Sequence, residues 1–221
     1  MSNTIPGGST TTTAGSTVDV SARTALEAMN SILALVGNSP ATDYDSTTNL
    51  DIVLVRQVLE ETSLEVQEDS WHFNRELEIE LTPNGSDEVV LSEQFTESGY
   101  TPADIARIDF IAKKNCGKDI TVRGGKAYDR KDHTYEFGSS IYADVVWYLP
   151  WSDLPNDIRY YITVRAARKF AARRIGSDLI DQMLREQEGV AYTRARGAEM
   201  DRGDYNALRG NPVLRRGSVW R

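Results

Sequence analysis

The stretch from Asp153 to Leu208 constrains the fold most, because it reads as two consecutive helices with almost nothing between them. The first is expected to start after Ser152-Asp153-Leu154-Pro155, with Asp153 capping free N–H groups and Pro155 in the first turn. Ile158, Tyr161, Ile162 and Ala166 fall at helical spacing, and Phe170 follows one turn later. Gly176 suits the left-handed position that ends a helix. Ser177 and Asp178 then open the second helix, whose apolar side is marked by Leu179, Ile180, Met183, Leu184, Ala191, Ala195 and Ala198. A helical pair of this kind buries little surface alone, so it needs partners along its length.

Charge suggests where one partner lies. Between Arg159 and Arg174 there are six cations and no acid. Earlier in the chain, a helix is expected over about Leu50 to Ser70, with Ile52, Val55, Leu59 and Val66 as its main stripe and Val58 and Leu64 widening it. From Asp51 to Asp69 it holds six acids against one base, Arg56. The acidic segment is the natural complement of the basic one. Glu61 and Glu65 can meet Arg165, Arg168, Arg173 and Arg174 across an interface between subunits, or the two helices can pair within one chain. A third reading leaves the arginines solvated, with their stems covering apolar surface. Charge and spacing alone do not choose.

Another helix precedes these, roughly Ser21 to Val36, with Ala22, Ala25, Leu26, Met29, Ile32, Leu33 and Val36 on one face. Gly37-Asn38-Ser39-Pro40 ends it. Trp71-His72-Phe73-Asn74 closes the first helical part, and the pattern then changes. Leu77, Ile79 and Leu81 alternate with Glu78 and Glu80, as in a half-exposed strand. Pro83-Asn84-Gly85-Ser86 reads as a turn, with Val89, Val90 and Leu91 as the return strand. Further strands are expected over 106–112, 119–123, 126–129 and 143–149, with Gly124-Gly125 as the turn between those at 119–123 and 126–129. The fold class is therefore α+β: a helical bundle domain formed from both ends of the chain, with an inserted antiparallel β-rich region. The divisions are a flexible Thr/Ser-rich arm at 1–20, helical parts at 21–75 and 151–208, the β-rich insertion at 76–150, and a basic C-terminal tail at 209–221. The tail carries Arg209, Arg215, Arg216 and Arg221, with Trp220 next to last. A large aromatic among arginines suggests an anchor for a partner pocket, formed by Arg215, Arg216 and Trp220.

Few residues are arranged for chemistry. Cys116 is the only cysteine, which excludes an internal disulfide and a cysteine-based zinc site, and it reads as a small half-buried residue. His72 and His133 lack ligand-spaced neighbours, so no metal site and no cofactor are expected. Arg123-Gly124-Gly125-Lys126 lacks the spacing and the Ser or Thr of a phosphate loop and reads as a hairpin turn. No catalytic residue stands out, although the abundant acids leave open a hydrolase that cuts polysaccharide with a carboxylate pair. A formal net charge of −8 argues against a broad grip on nucleic-acid phosphates, but suits a wall past which DNA slides. No apolar run reaches the length of a membrane span, and no signal-peptide core precedes the helices, so the chain is expected to stay in the cytoplasm until it joins an assembly.

Six stretches, taken in order, carry a resemblance. They are Asn30-Ser-Ile-Leu-Ala-Leu-Val-Gly-Asn-Ser-Pro40, Trp71-His-Phe-Asn74, Arg123-Gly-Gly-Lys-Ala-Tyr-Asp-Arg130, Leu154-Pro-Asn-Asp-Ile-Arg-Tyr160, Ala167-Arg-Lys-Phe170 and Met200-Asp-Arg-Gly-Asp-Tyr-Asn-Ala-Leu208. Together they resemble the tail tubular protein A family of short-tailed, T7-like bacteriophages, over about residues 20–208. The resemblance implies a structural virion protein of the neck region, a head-to-tail adaptor without enzymatic activity. Its implied partners are further copies of itself in a ring of about twelve, the portal protein, the nozzle protein called tail tubular protein B, and tail fibres nearby. It also implies a helical domain with a β-rich extension, in agreement with the patterns above. A soluble scaffolding protein absent from the finished particle is the remaining alternative.

Overall fold

The computed structural model describes residues 24–35, 37–46, 49–95 and 101–202. Along the chain it forms helix α1 (Ala25–Leu35), helix α2 (Leu50–Gln67), strand β1 (Arg75–Leu81), a one-turn helix α3 (Leu91–Gln94) and strand β2 (Ile105–Phe110). Strands β3 (Ile120–Arg123), β4 (Lys126–Asp129) and β5 (Ile141–Trp147) follow, then helices α4 (Asn156–Arg174) and α5 (Asp178–Arg202). The chain is α+β, as expected.

Local chemistry sets the helix ends. Thr24 and Glu27 satisfy each other's backbone N–H groups at the start of α1, at 3.1 and 3.2 Å, which is a reciprocal capping box. Gly37, at φ +72°, lets the Asn38 N–H reach back to Leu33 O at 3.1 Å. The Asn49 side chain caps α2 by accepting from the Asp51 N–H at 2.9 Å. At α4 the expectation fails. Asp153 lies in a short 3-10 turn (Trp151–Asp153), and Pro155 itself is the capping position, its carbonyl accepting from the Ile158 and Arg159 N–H groups. Gly176, at φ +66°, ends α4 as expected, with its N–H on Ala171 O at 3.2 Å.

α4 is the centre of the helical part. Ile158, Tyr161, Ile162, Thr163, Val164, Ala166, Ala167, Phe170 and Ala171 are all buried, and at 3.6 residues per turn they cover nearly its whole circumference. α1, α2 and α5 pack on it, and α1 also packs on α2. Trp71 and Leu154 complete this core. Two expectations about stripes are corrected. Leu64 is exposed and does not widen the buried side of α2. On α5 only Leu184, Ala191 and Ala195 are buried, while Leu179 and Met183 face solvent.

The strands hold a second core around Leu81, Phe137, Ala143, Val145 and Trp147, with Phe95 edge-on to Trp147 at 4.9 Å. β5 is central, with β1 and β2 antiparallel on either side, and β3 pairs with β4 through the Gly124-Gly125 turn. The expected hairpin partner of β1 is not a strand. Val90 makes only an isolated bridge to Lys126, and the chain turns into α3 at Leu91. β1 also breaks its alternation. A register shift between Glu76 and Ile79 puts Glu78 at φ +59° and leaves Leu77 exposed. Cys116 is exposed, against expectation, at φ +53°.

Candidate assembly surfaces

The cations that the sequence singles out lie on α4, and their partners lie on both neighbouring helices. Arg165 binds Glu65 on α2 and stands 3.9 Å from Glu188 on α5, and Lys169 also binds Glu65. Arg168 turns wholly to α5, at 2.8 Å from Asp181 and 2.9 Å from Glu188. Further along, Arg173 is 3.7 Å from Glu61 and Arg174 is 3.0 Å from Asp51. The acidic and basic helices therefore pair within one chain. All six residues considered for an interface between subunits (Glu61, Glu65, Arg165, Arg168, Arg173 and Arg174) have a partner inside the chain. They differ in exposure. Arg165 and Arg168 are largely covered, whereas Glu61, Arg173 and Arg174 keep about half of their side-chain surface in solvent.

Single surface ion pairs contribute about 0–1 kcal/mol, but a network on covered side chains holds its geometry better. The carboxylates respond to it. Burial pushes Glu65 up, yet the Lys169 and Arg165 cations outweigh burial and hold it below the usual range. The Arg168 hydrogen bond holds Asp181 low. The Asn38 amide, at 2.8 Å, does the same for Asp51, with help from Arg174. Asp181 and Glu188 were not singled out from sequence. Their seven-residue spacing, which puts both on one side of α5, was the available signal.

A second polar cluster ties the helical part to the strands. Gln67 and Asn74 are buried between them. The Gln67 side chain both donates to and accepts from the Leu149 backbone, and the Asn74 amide donates to Gln67 O and Trp147 O, each at 2.9 Å. The Tyr148 hydroxyl donates to Glu68 at 2.7 Å, and burial together with that carboxylate pushes its pKa up to about 12. Trp71 sits beside this junction, fully buried. Its indole N–H donates to Val66 O at 2.6 Å, and the Arg196 guanidinium of α5 lies 4.1 Å over the ring.

On the other side of α4 a groove of about 380 Å³ opens between α1 and α5, with Ile32, Leu35, Tyr160, Val164 and Leu184 in its lining. Among the described residues no group of three or more His, Cys, Asp or Glu is placed to hold a metal ion, and no helix is long and apolar enough to cross a membrane. Arg215, Arg216 and Trp220, the candidate anchor for a partner, lie outside the described residues.

These surfaces are those of a body built around packing and ion pairs. No curated protein matches the chain. A family model described as tail tubular protein matches residues 26–205, from the first turn of α1 to beyond the end of α5, and so takes in both cores and the junction. The chain belongs to the tail tubular protein family, structural proteins of the bacteriophage tail.

Proposed function

We propose that the chain is a head-to-tail adaptor. Copies of it, twelve in this reading, close into a ring between the portal protein and the nozzle, tail tubular protein B, with tail fibres attached nearby. The observation that carries the reading is the family match over residues 26–205. In the assembled ring the helices form a bundle from both ends of the chain, and the β region extends from it.

A closed ring needs a contact in which one face of a subunit meets a different face of the next. Glu61, Arg173 and Arg174 are the half-exposed members of the charged set and are the ones proposed to reach a neighbour. Glu65, Arg165 and Arg168 hold the helices that present them. The basic tail, with Arg215, Arg216 and Trp220, is proposed to meet the portal.

The lumen follows from charge. A basic wall would displace counterions from duplex DNA and hold it. Chains of formal charge −8 build an acidic ring past which DNA moves freely. The test is to mix the full chain with its portal and count copies by electron microscopy and mass photometry. The expected result is a ring of about twelve on the portal that does not retain duplex DNA at physiological salt. A chain that stays monomeric beside the portal would overturn the adaptor reading.

A further inference from the structure

α5 carries an inner apolar line that α4 covers and an outer line, partly apolar, that it does not. Leu184, Ala191 and Ala195 face inward. The outer line runs Leu179, Met183, Glu186, Val190, Thr193, Gly197, Met200, in alternating steps of four and three. That spacing is the seam of a coiled coil, and it runs nearly the full length of the helix. Every residue in the line is exposed, with Leu179 at 69%, Val190 at 68% and Met200 at 64%. No described residue covers this line, and a contiguous exposed apolar patch marks an interaction surface.

Glycine adds an independent sign. Gly197 lies within the helix, where glycine costs roughly 0.5–1 kcal/mol relative to alanine. Among the described residues a Cβ there would meet nothing within 4 Å, so none of them requires a glycine. A second backbone approaching the outer line would.

We propose that a second copy of this chain covers the line, with the two α5 helices antiparallel about a two-fold axis close to Val190. Val190 is the midpoint of α5, so the helices overlap from end to end. Residues equally far from the axis then meet. Met183 faces Gly197 of the second copy, and Leu179 lies within one residue of the level of its Met200. Glu186 comes within reach of Arg194. Among the described residues Glu186 has no ion pair, and Arg194, at 63% side-chain exposure, is held only by Asp157, which also binds Arg202. One face thus carries its own complement, as a two-fold contact requires. The polar Glu186 and Thr193 in the seam specify the register and keep the pair weak. Such a dimer is a form of the free chain, distinct from the ring contact proposed above, and it covers the apolar line before assembly.

The experiment is mass photometry and sedimentation of the full chain without portal, with circular dichroism to check folding. The wild type is expected to be a dimer. Glu186→Arg alone, or Arg194→Glu alone, sets like charges together and is expected to raise the dissociation constant at least about tenfold. The double variant restores the pair, which a merely structural role for either residue would not do. Val190→Glu, on the exposed side, is expected to give a folded monomer. A monomeric wild type, or single reversals that dimerise as the wild type does, would overturn the dimer and leave the ring standing. A dimer that never forms a ring on the portal would overturn the ring and leave the dimer.

Discussion

Gln67 and Leu149, 82 residues apart, hold each other by two hydrogen bonds: the Gln67 amide donates to Leu149 O at 3.2 Å, and its oxygen accepts the Leu149 N–H at 2.7 Å. One buried side chain thus stands in for a backbone neighbour where the chain passes from strand to helix. Gln67→Ala leaves both half-buried backbone groups without their partner, which is expected to cost about 1–3 kcal/mol in urea unfolding. A loss below about 0.5 kcal/mol would mean that water replaces the amide. Asn74→Ala is expected to act on the same joint and not to add fully, because Asn74 binds the Gln67 carbonyl.

Trp71 joins the first helical part to the end of α5. Trp71→Ala is expected to cost about 3–5 kcal/mol, because the ring is fully buried and its N–H is bonded. Arg196→Ala removes the cation over the ring together with an exposed hydrogen bond to the Tyr192 hydroxyl, and is expected to cost about 1 kcal/mol. Thermal unfolding of the two variants distinguishes them. Equal losses would mean that Arg196 matters for packing rather than for its charge.

Acid is expected to loosen the seam between α2, α4 and α5. Glu65, Asp51 and Asp181 are all held below their ordinary values in the folded chain. Groups depressed in this way contribute stability that is complete above the unfolded value and is lost as pH falls through the folded one. The urea midpoint should therefore change little between about pH 7 and 5 on their account, and fall below about pH 4.5. Glu65→Gln should flatten that fall. An unchanged acid slope in the variant would remove Glu65 as a contributor.

Two glycines in this part of the chain are expected to behave in opposite ways. Gly176 sits at φ +66°, where a side chain is strained, so Gly176→Ala should lower stability by about 1–2 kcal/mol. Gly197 has helical backbone and no described residue within reach of an added Cβ, so Gly197→Ala should raise the stability of the monomer by roughly 0.5–1 kcal/mol. Denaturation at low protein concentration reads both. Destabilisation by Gly197→Ala would show a contact inside the chain that the described residues do not reveal.

Much of the fold was legible in the sequence because periodicity and punctuation are local. Gly37 and Gly176 marked their helix ends, and Gly124-Gly125 its hairpin turn, since each needs a backbone that glycine adopts most easily. The strands at 105–110, 120–123, 126–129 and 141–147 followed from short runs of β-branched and aromatic residues. Asp153 misled because its residue type suits a cap, yet the short 3-10 turn at Trp151–Asp153 ends before the helix begins. Val89 to Leu91 misled because a good turn and an apolar run do not choose which strand pairs with β1.

The sequence by itself determined the α+β class, the helices at both ends, the opposite charges of the segments at 51–69 and 159–174, and the family. These are written in residue types at fixed spacing. Tertiary structure alone decided that the two charged segments meet within one chain, that Gln67 bridges to Leu149, and that Leu179, Met183 and Val190 stay outside. Those outcomes depend on which faces reach one another after the chain has turned back on itself, and neither charge nor hydrophobicity carries a direction in space until the backbone supplies one.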